Sequence, residues 1–223
     1  RDTGTYDVAK GAPEDLPLLA QFYSDVCDHF HDAVASYEGY LGLGAMFSYA
    51  AAAEIWDQYA IRPGLFIHGQ MGSGKSKIGE WLMRILGFKV TEGISLMQGT
   101  PVGLLCENEN YSNLPVWVNE YYQNQIDSAK DAILQDAYNG GISPKWLPPD
   151  AIQRTMRTGF IVSGESTAGK AALRSRYCHI QVSAAKRKEL LGDRDRANLE
   201  WMEASKGALF LLGRFLHEHR ADF

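Results

Sequence analysis

The chain has 223 residues, 45% hydrophobic and 22% charged, the balance of an ordinary globular domain with one sizeable core or a core and a small satellite. No apolar run approaches the roughly 18 residues of a membrane span, and no membrane partner is expected. A net charge of −5 argues against a surface that coats duplex DNA, which would be basic. Any nucleic-acid contact must be local, in a few loops lining a channel.

Residues 1–13 carry Gly4, Gly11 and Pro13 with little periodicity and read as an arm. Asp15 and Pro17 make a good helix start, and Leu16, Leu19, Phe22, Tyr23, Val26 and Phe30 follow at helical spacing. A second helix is expected over 43–59, apolar on most sides and therefore buried. Residues 1–60 thus read as a helical N-terminal segment that packs or connects rather than catalyses.

The most informative stretch is Gly69-Gln70-Met71-Gly72-Ser73-Gly74-Lys75-Ser76, which fits the phosphate-binding pattern G-x-x-x-x-G-K-[ST]. The apolar run Leu65-Phe66-Ile67 precedes it, and the amphipathic run Ile78, Trp81, Leu82, Ile85, Leu86 follows it. Strand, loop and helix are the context a P-loop requires. Gly69, Gly72, Ser73 and Gly74 would curl backbone N–H groups round an anion, and the new helix adds its positive end. Lys75 would reach the β- and γ-phosphates of ATP, and the Ser76 hydroxyl would take a place on Mg²⁺.

Beyond that helix, Phe88-Lys89-Val90-Thr91 reads as a short strand, Gly99-Thr100-Pro101 opens a short helix through Leu105, and Asn108 to Asn113 reads as loop. The apolar run Leu114-Pro115-Val116-Trp117-Val118 is a buried strand candidate that ends in Asn119-Glu120. This is where a P-loop ATPase carries its acidic strand-end pair, usually Asp-Glu. Asn119 would sit in the Mg²⁺ shell, and Glu120 would orient and polarise the attacking water. The amide of Asn119 accepts hydrogen bonds from metal-bound water but lacks a carboxylate's charge. Either the native site works with it, or the residue was substituted.

Ile126, Ala129, Ile133 and Ala137 mark a further helix closed by Asn139-Gly140-Gly141. Residues 142–158 then hold Lys145, Pro148-Pro149, Arg154 and Arg157. Gly159 to Glu165 reads as a strand with a polar tip, Ser163 to Glu165, able to touch the γ-phosphate or the lytic water. Arg174 and Arg176 lead into a last strand, His179 to Val182. The tail opens on the basic run Lys186-Arg187-Lys188 and ends in a helix with Leu199, Met202, Leu209, Leu212, Phe215 and Leu216 on one stripe.

Cys27, Cys106 and Cys178 are odd in number and widely spaced, and read as buried thiols in a reducing, cytoplasmic setting. His29/His31 and His217/His219 are each spaced two apart in helical patterns, which points the rings apart, so no metal site is expected from them. The start at Arg1, with no signal peptide, points to a piece cut from a longer polypeptide. Continuous apolar strands imply an α/β core with a mainly parallel sheet covered on both faces, spanning 61–185, with a helical tail over 186–223.

The stretches Ser112 to Tyr121, Val162-Ser163-Gly164-Glu165 and Ala172-Leu173-Arg174-Ser175-Arg176 resemble the ATPase domain of phage and plasmid primase-helicases, within the superfamily 3 and AAA+ type of P-loop ring helicases. The resemblance covers about 62–185. It implies a hexameric, ATP- and Mg²⁺-dependent motor that moves along single-stranded DNA at a replication fork, in a bacterial or phage-infected cell. A primase domain would lie elsewhere in the parent chain. It also implies that Ser163 and Glu165 form a sensor-like tip. Arg176, with Arg174 as second choice, would be an arginine finger reaching a neighbour's ATP. Lys145 and Arg154 would contact DNA from a pore-lining hairpin within 142–158. Three rivals remain: a protein remodeller or loader with the same engine, a P-loop kinase-like phosphotransferase, and a nucleotide-binding module that does not hydrolyse.

Overall fold

Five short apolar segments form a single sheet: β1 (Leu65–His68), β2 (Ile94–Ser95), β3 (Val116–Tyr121), β4 (Phe160–Gly164) and β5 (Cys178–Gln181). In this computed structural model the residues described are 16–62, 64–90, 92–111, 114–141 and 156–218. The strand order is β2-β3-β4-β1-β5, and every pairing is parallel. Parallel strands need crossovers, and helices supply them on both faces. The expected α/β architecture with a parallel sheet flanked by helices is therefore the one the chain adopts.

Alternation along the strands divides the core in two. Leu65, Ile67, Trp117, Ile161 and Ile180 face a cluster shared with α1 (Leu16–Val34), α2 (Glu38–Ala50), α4 (Lys75–Ile85) and α9 (Arg194–Ser205). Phe66, Val116, Val118, Phe160 and Val162 face a second cluster with α5 (Pro101–Asn110) and α6 (Ser128–Tyr138). The short α7 (Ala171–Arg174) adds Leu173 to that second face. The edge strand β5 is covered by α2: a Cβ on Gly42 would lie 2.5 Å from Ile180, and the Glu38 carboxylate accepts the Gln181 N–H at 2.7 Å.

Several expectations need correction. The helix expected over 43–59 is two, α2 and α3 (Ala52–Tyr59), broken at Ala51. A run of alanines keeps apolar character through the break, so periodicity does not reveal it. No strand forms at Phe88–Val90; Phe88 and Val90 instead pack as loop side chains against the α4 face. The strand comes later, at β2, where Gly93 lets the chain pass flat over Trp117.

Asn108 lies inside α5, not in a loop. Its buried side chain donates to the Thr158 carbonyl at 2.7 Å and accepts the Arg157 N–H at 2.8 Å. The tail is three helices, α8 (Ala184–Leu191), α9 and α10 (Phe210–Glu218). The cysteines are free but not buried: Cys27 and Cys106 are partly exposed and Cys178 is exposed. Among the described residues no helix is long and apolar enough to cross a membrane.

Trp81 pins α4 in place. Its fully buried ring stacks on Phe30 at 5.2 Å, and its Nε1–H donates to the Met202 carbonyl at 3.0 Å. Replacing Trp81 by Ala should cost about 3–5 kcal/mol through the cavity it leaves. Urea unfolding checks this as a lower midpoint at unchanged slope.

Candidate nucleotide site

The phosphate loop leaves β1 at His68 and turns into α4 at Lys75. Gly69 is required by space, since a Cβ there would lie 2.1 Å from the Val182 carbonyl oxygen. Gly74 is required by conformation, holding φ 103° as the residue that opens α4. The Gly69 N–H donates to the Gly164 carbonyl at 3.2 Å, which ties the loop to β4. Gly72 and Ser76 are exposed at the loop tip and on the first turn of α4, whereas Ser73 is buried.

Lys75 folds back over the loop. Its Nζ donates to the carbonyls of Gly69 and Gln70 at 2.7 and 2.8 Å. Burial pushes its ammonium below the usual lysine range, and the negative charge of Glu165 acts in the opposite direction. Glu165, exposed just past the end of β4, is thus within electrostatic reach of Lys75. Ser163 is different. Its buried hydroxyl accepts from Trp117 Nε1 at 3.2 Å and donates to the Val118 carbonyl at 3.4 Å, so it faces β3.

Asn119 and Glu120 stand at the end of β3, where the register with β4 shifts between Val118 and Tyr121. Glu120 takes a left-handed φ of 60°, a costly conformation for a residue with a side chain. Its carboxylate accepts from the Ser95 hydroxyl of β2. Asn119 is 8% exposed; its Nδ2 donates to Glu92 Oε1 at 3.3 Å, and its Oδ1 has no partner among the described residues. A buried oxygen of this kind costs about 1–3 kcal/mol unless something arrives to donate to it. Asn119, Glu92, Glu120 and the exposed Ser76 carry hard oxygen donors, the ligand type that Mg²⁺ takes together with its waters.

The remaining expected residues lie elsewhere. Arg174 is exposed at the end of α7, with its carbonyl 3.0 Å from His179 Nε2. Arg176 is half-buried and donates to Gln135 of α6 at 3.4 Å, on the sheet face away from α4. Lys145 and Arg154 fall outside the described residues. His29 stacks on Trp201 at 3.9 Å, and its Nδ1 lies 2.5 Å from Asn198 Oδ1. Among the described residues no group of three or more His, Cys, Asp or Glu could hold a metal.

Two features escaped the sequence reading. Glu92, just before β2, and Ser95, within it, reach Asn119 and Glu120, and the signal was lost with the misplaced second strand. Arg187 read as one charge in a basic run. It is 7% exposed, its Nε donates to Asp195 at 2.6 Å, and its Nη1 donates to the Ser73 carbonyl at 3.1 Å. The available clue was Asp195 eight residues on, past Gly192. Beside Arg187, a cavity of about 260 Å³ opens from Gly72 and Gly74 along Lys77 and Trp81 to Glu203 and Lys206.

No protein-family model and no curated protein matches the chain. Among solved structures it is similar to one described as an active helicase, Cch of SCCmec type IV, at 18% identity and TM-score 0.48, over 82% of this chain and 35% of that one. It is also similar to JCV helicase with an inhibitor bound, at 16% identity and TM-score 0.47, over 89% of this chain and 54% of that one. A further JCV helicase structure matches at 15% identity and TM-score 0.41, over 95% of this chain and 63% of that one. The chain therefore spans between a third and just under two thirds of the length of these structures.

Lys75→Ala should fold but lose the rise in melting temperature that Mg-ATP gives the parent, since only a ligand bound to the folded state raises stability. Arg187→Met should cost about 3–5 kcal/mol by leaving Asp195 buried without its partner. The double variant Arg187→Met, Asp195→Leu should regain most of that loss in the same melts.

Proposed function

We propose that this chain is the ATP-hydrolysing motor domain of a replicative DNA helicase of the primase-helicase type, acting as a ring oligomer, a hexamer in the parent protein, on single-stranded DNA. The observation that carries the reading is the shared end of the sheet. The phosphate loop leaves β1 there, Asn119-Glu120 leaves β3 there, and β4 runs between them. Ligands of open α/β sheets bind outside the carboxyl ends of the strands. In that frame Lys75 and the loop N–H groups hold the phosphates of ATP, Ser76 and Asn119 stand toward Mg²⁺, and Glu120 positions the attacking water. Mg²⁺ would stabilise charge on the phosphates. The cavity beside Gly72 and Gly74 gives the rest of the nucleotide somewhere to lie.

Arg176, with Arg174 beside it, is proposed as a finger toward a neighbouring subunit. What supports this is that the Arg176 guanidinium donates to Gln135 of α6, on the sheet face away from α4, and that Arg174 is exposed at the end of α7. Lys145 and Arg154 are proposed to meet DNA. A protein remodeller would use the same engine, and stimulation of turnover by single-stranded DNA separates the two.

Mixing tests the oligomeric engine. Lys75→Ala and Arg176→Ala, in the longer parent protein, should each be inactive, because a finger is worth roughly 10³–10⁵ in rate. Mixed, some interfaces join an intact Lys75 to an intact Arg176, and part of the ATP turnover should return. Rings that assemble from the mixture yet stay as dead as their components would rule out a finger acting between subunits.

A further inference from the structure

The end of β3 carries an asymmetry. Asn119 is neutral where an acidic residue is usual, yet a carboxylate stands against it, from Glu92. The pairing is set by backbone register. β2 lies parallel to β3 with Ile94 opposite Val118 and Ser95 opposite Asn119. Gly93 lies flat on Trp117, where a Cβ would come within 3.1 Å of the indole. Trp117 in turn packs against Gly79 of α4, at 2.5 Å from the position of a Cβ there. Trp117 and Asn119 are two apart on one strand and share a face. Glu92 therefore reaches the face of the sheet that carries the helix of the phosphate loop.

The contact also orients the amide. An ionised carboxylate only accepts, so the NH₂ of Asn119 must face Glu92 and its Oδ1 must face away. That oxygen belongs to a side chain more than nine-tenths buried and has no donor among the described residues. Among the described residues, none of the ion pairs involves Glu92. Glu92 is exposed, so what stays unmet is the buried Oδ1 on the far side of the amide. Hydrated Mg²⁺ retains waters that donate to such an oxygen, and a carboxylate across the amide favours its charge.

We propose that Glu92 supplies the negative charge of the Mg²⁺ site in place of position 119, with Asn119 Oδ1 accepting from a metal-bound water. This rests on the nucleotide-site reading above and names the residue that completes it. Because Glu92 stands two residues before β2, cation affinity depends on the two-residue pairing of β2 with β3 that holds it there.

Binding of a fluorescent ATP analogue, titrated with Mg²⁺, tests the assignment without relying on turnover. Glu92→Gln should keep Lys75-dependent binding of the analogue and raise the Mg²⁺ midpoint by roughly tenfold, as for partners of metal ligands. Glu92→Gln with Asn119→Asp should bring the midpoint back, because the charge is restored one strand away. Glu92→Asp, which keeps the charge, guards against a loss of local structure and should lie between the two. A Glu92→Gln midpoint equal to that of the parent chain would overturn the proposal while leaving nucleotide binding in place. So would Lys75-dependent binding that ignores Mg²⁺ altogether. A parent chain that binds no analogue, or binds it equally well with Lys75→Ala, would instead remove the nucleotide-site reading and this assignment with it.

Discussion

Burial of both faces of the sheet is the constraint on which the rest depends. The central strands β1, β3 and β4 present apolar side chains in alternation to two separate clusters, which leaves little room for polar chemistry along their length. It is pushed to the ends, and in a parallel sheet all the carboxyl ends lie together. Gly69, Asn119, Glu120 and Glu165 come from three strands and arrive at one edge for that reason. Even Ser163, polar and inside a strand, is spent on the indole of Trp117.

From that edge the loop is braced on several sides. Gly69 sits so close to the Val182 carbonyl that the start of the loop and the end of β5 cannot move independently. Arg187, held by Asp195, donates to the Ser73 carbonyl from α8. Glu80, buried on α4, takes Lys206 at 2.7 Å just past α9. A buried pair of this kind is weak evidence for stability, yet it fixes the register of the two helices. The helix that carries Lys75 is thus fastened to the helices after β5 at Ser73, Glu80 and Trp81.

The opposite side of the site is built more lightly. β2 has two residues, and Ser95 within it and Glu92 just before it touch both polar groups at the end of β3. Glu120 combines a left-handed backbone with a carboxylate tied to Ser95, so its present position is over-determined by its neighbour and not by its own preference.

The sequence by itself determined the parts that rest on local rules. Glycines at fixed spacing between an apolar run and an amphipathic one specify strand, loop and helix, because backbone conformation and helix periodicity are local properties. An apolar run ending in Asn119-Glu120 specifies a buried strand with a polar end for the same reason. Tertiary structure alone decided what stands next to what. The strand order that seats β4 between β1 and β3 follows from packing between distant segments. The partnership of Glu92 with Asn119 depends on a two-residue register too short to leave a periodic signal. Arg187 looked like surface charge until Asp195 and the Ser73 carbonyl closed round it, since burial of a charge is a property of its surroundings and not of its neighbours in the chain.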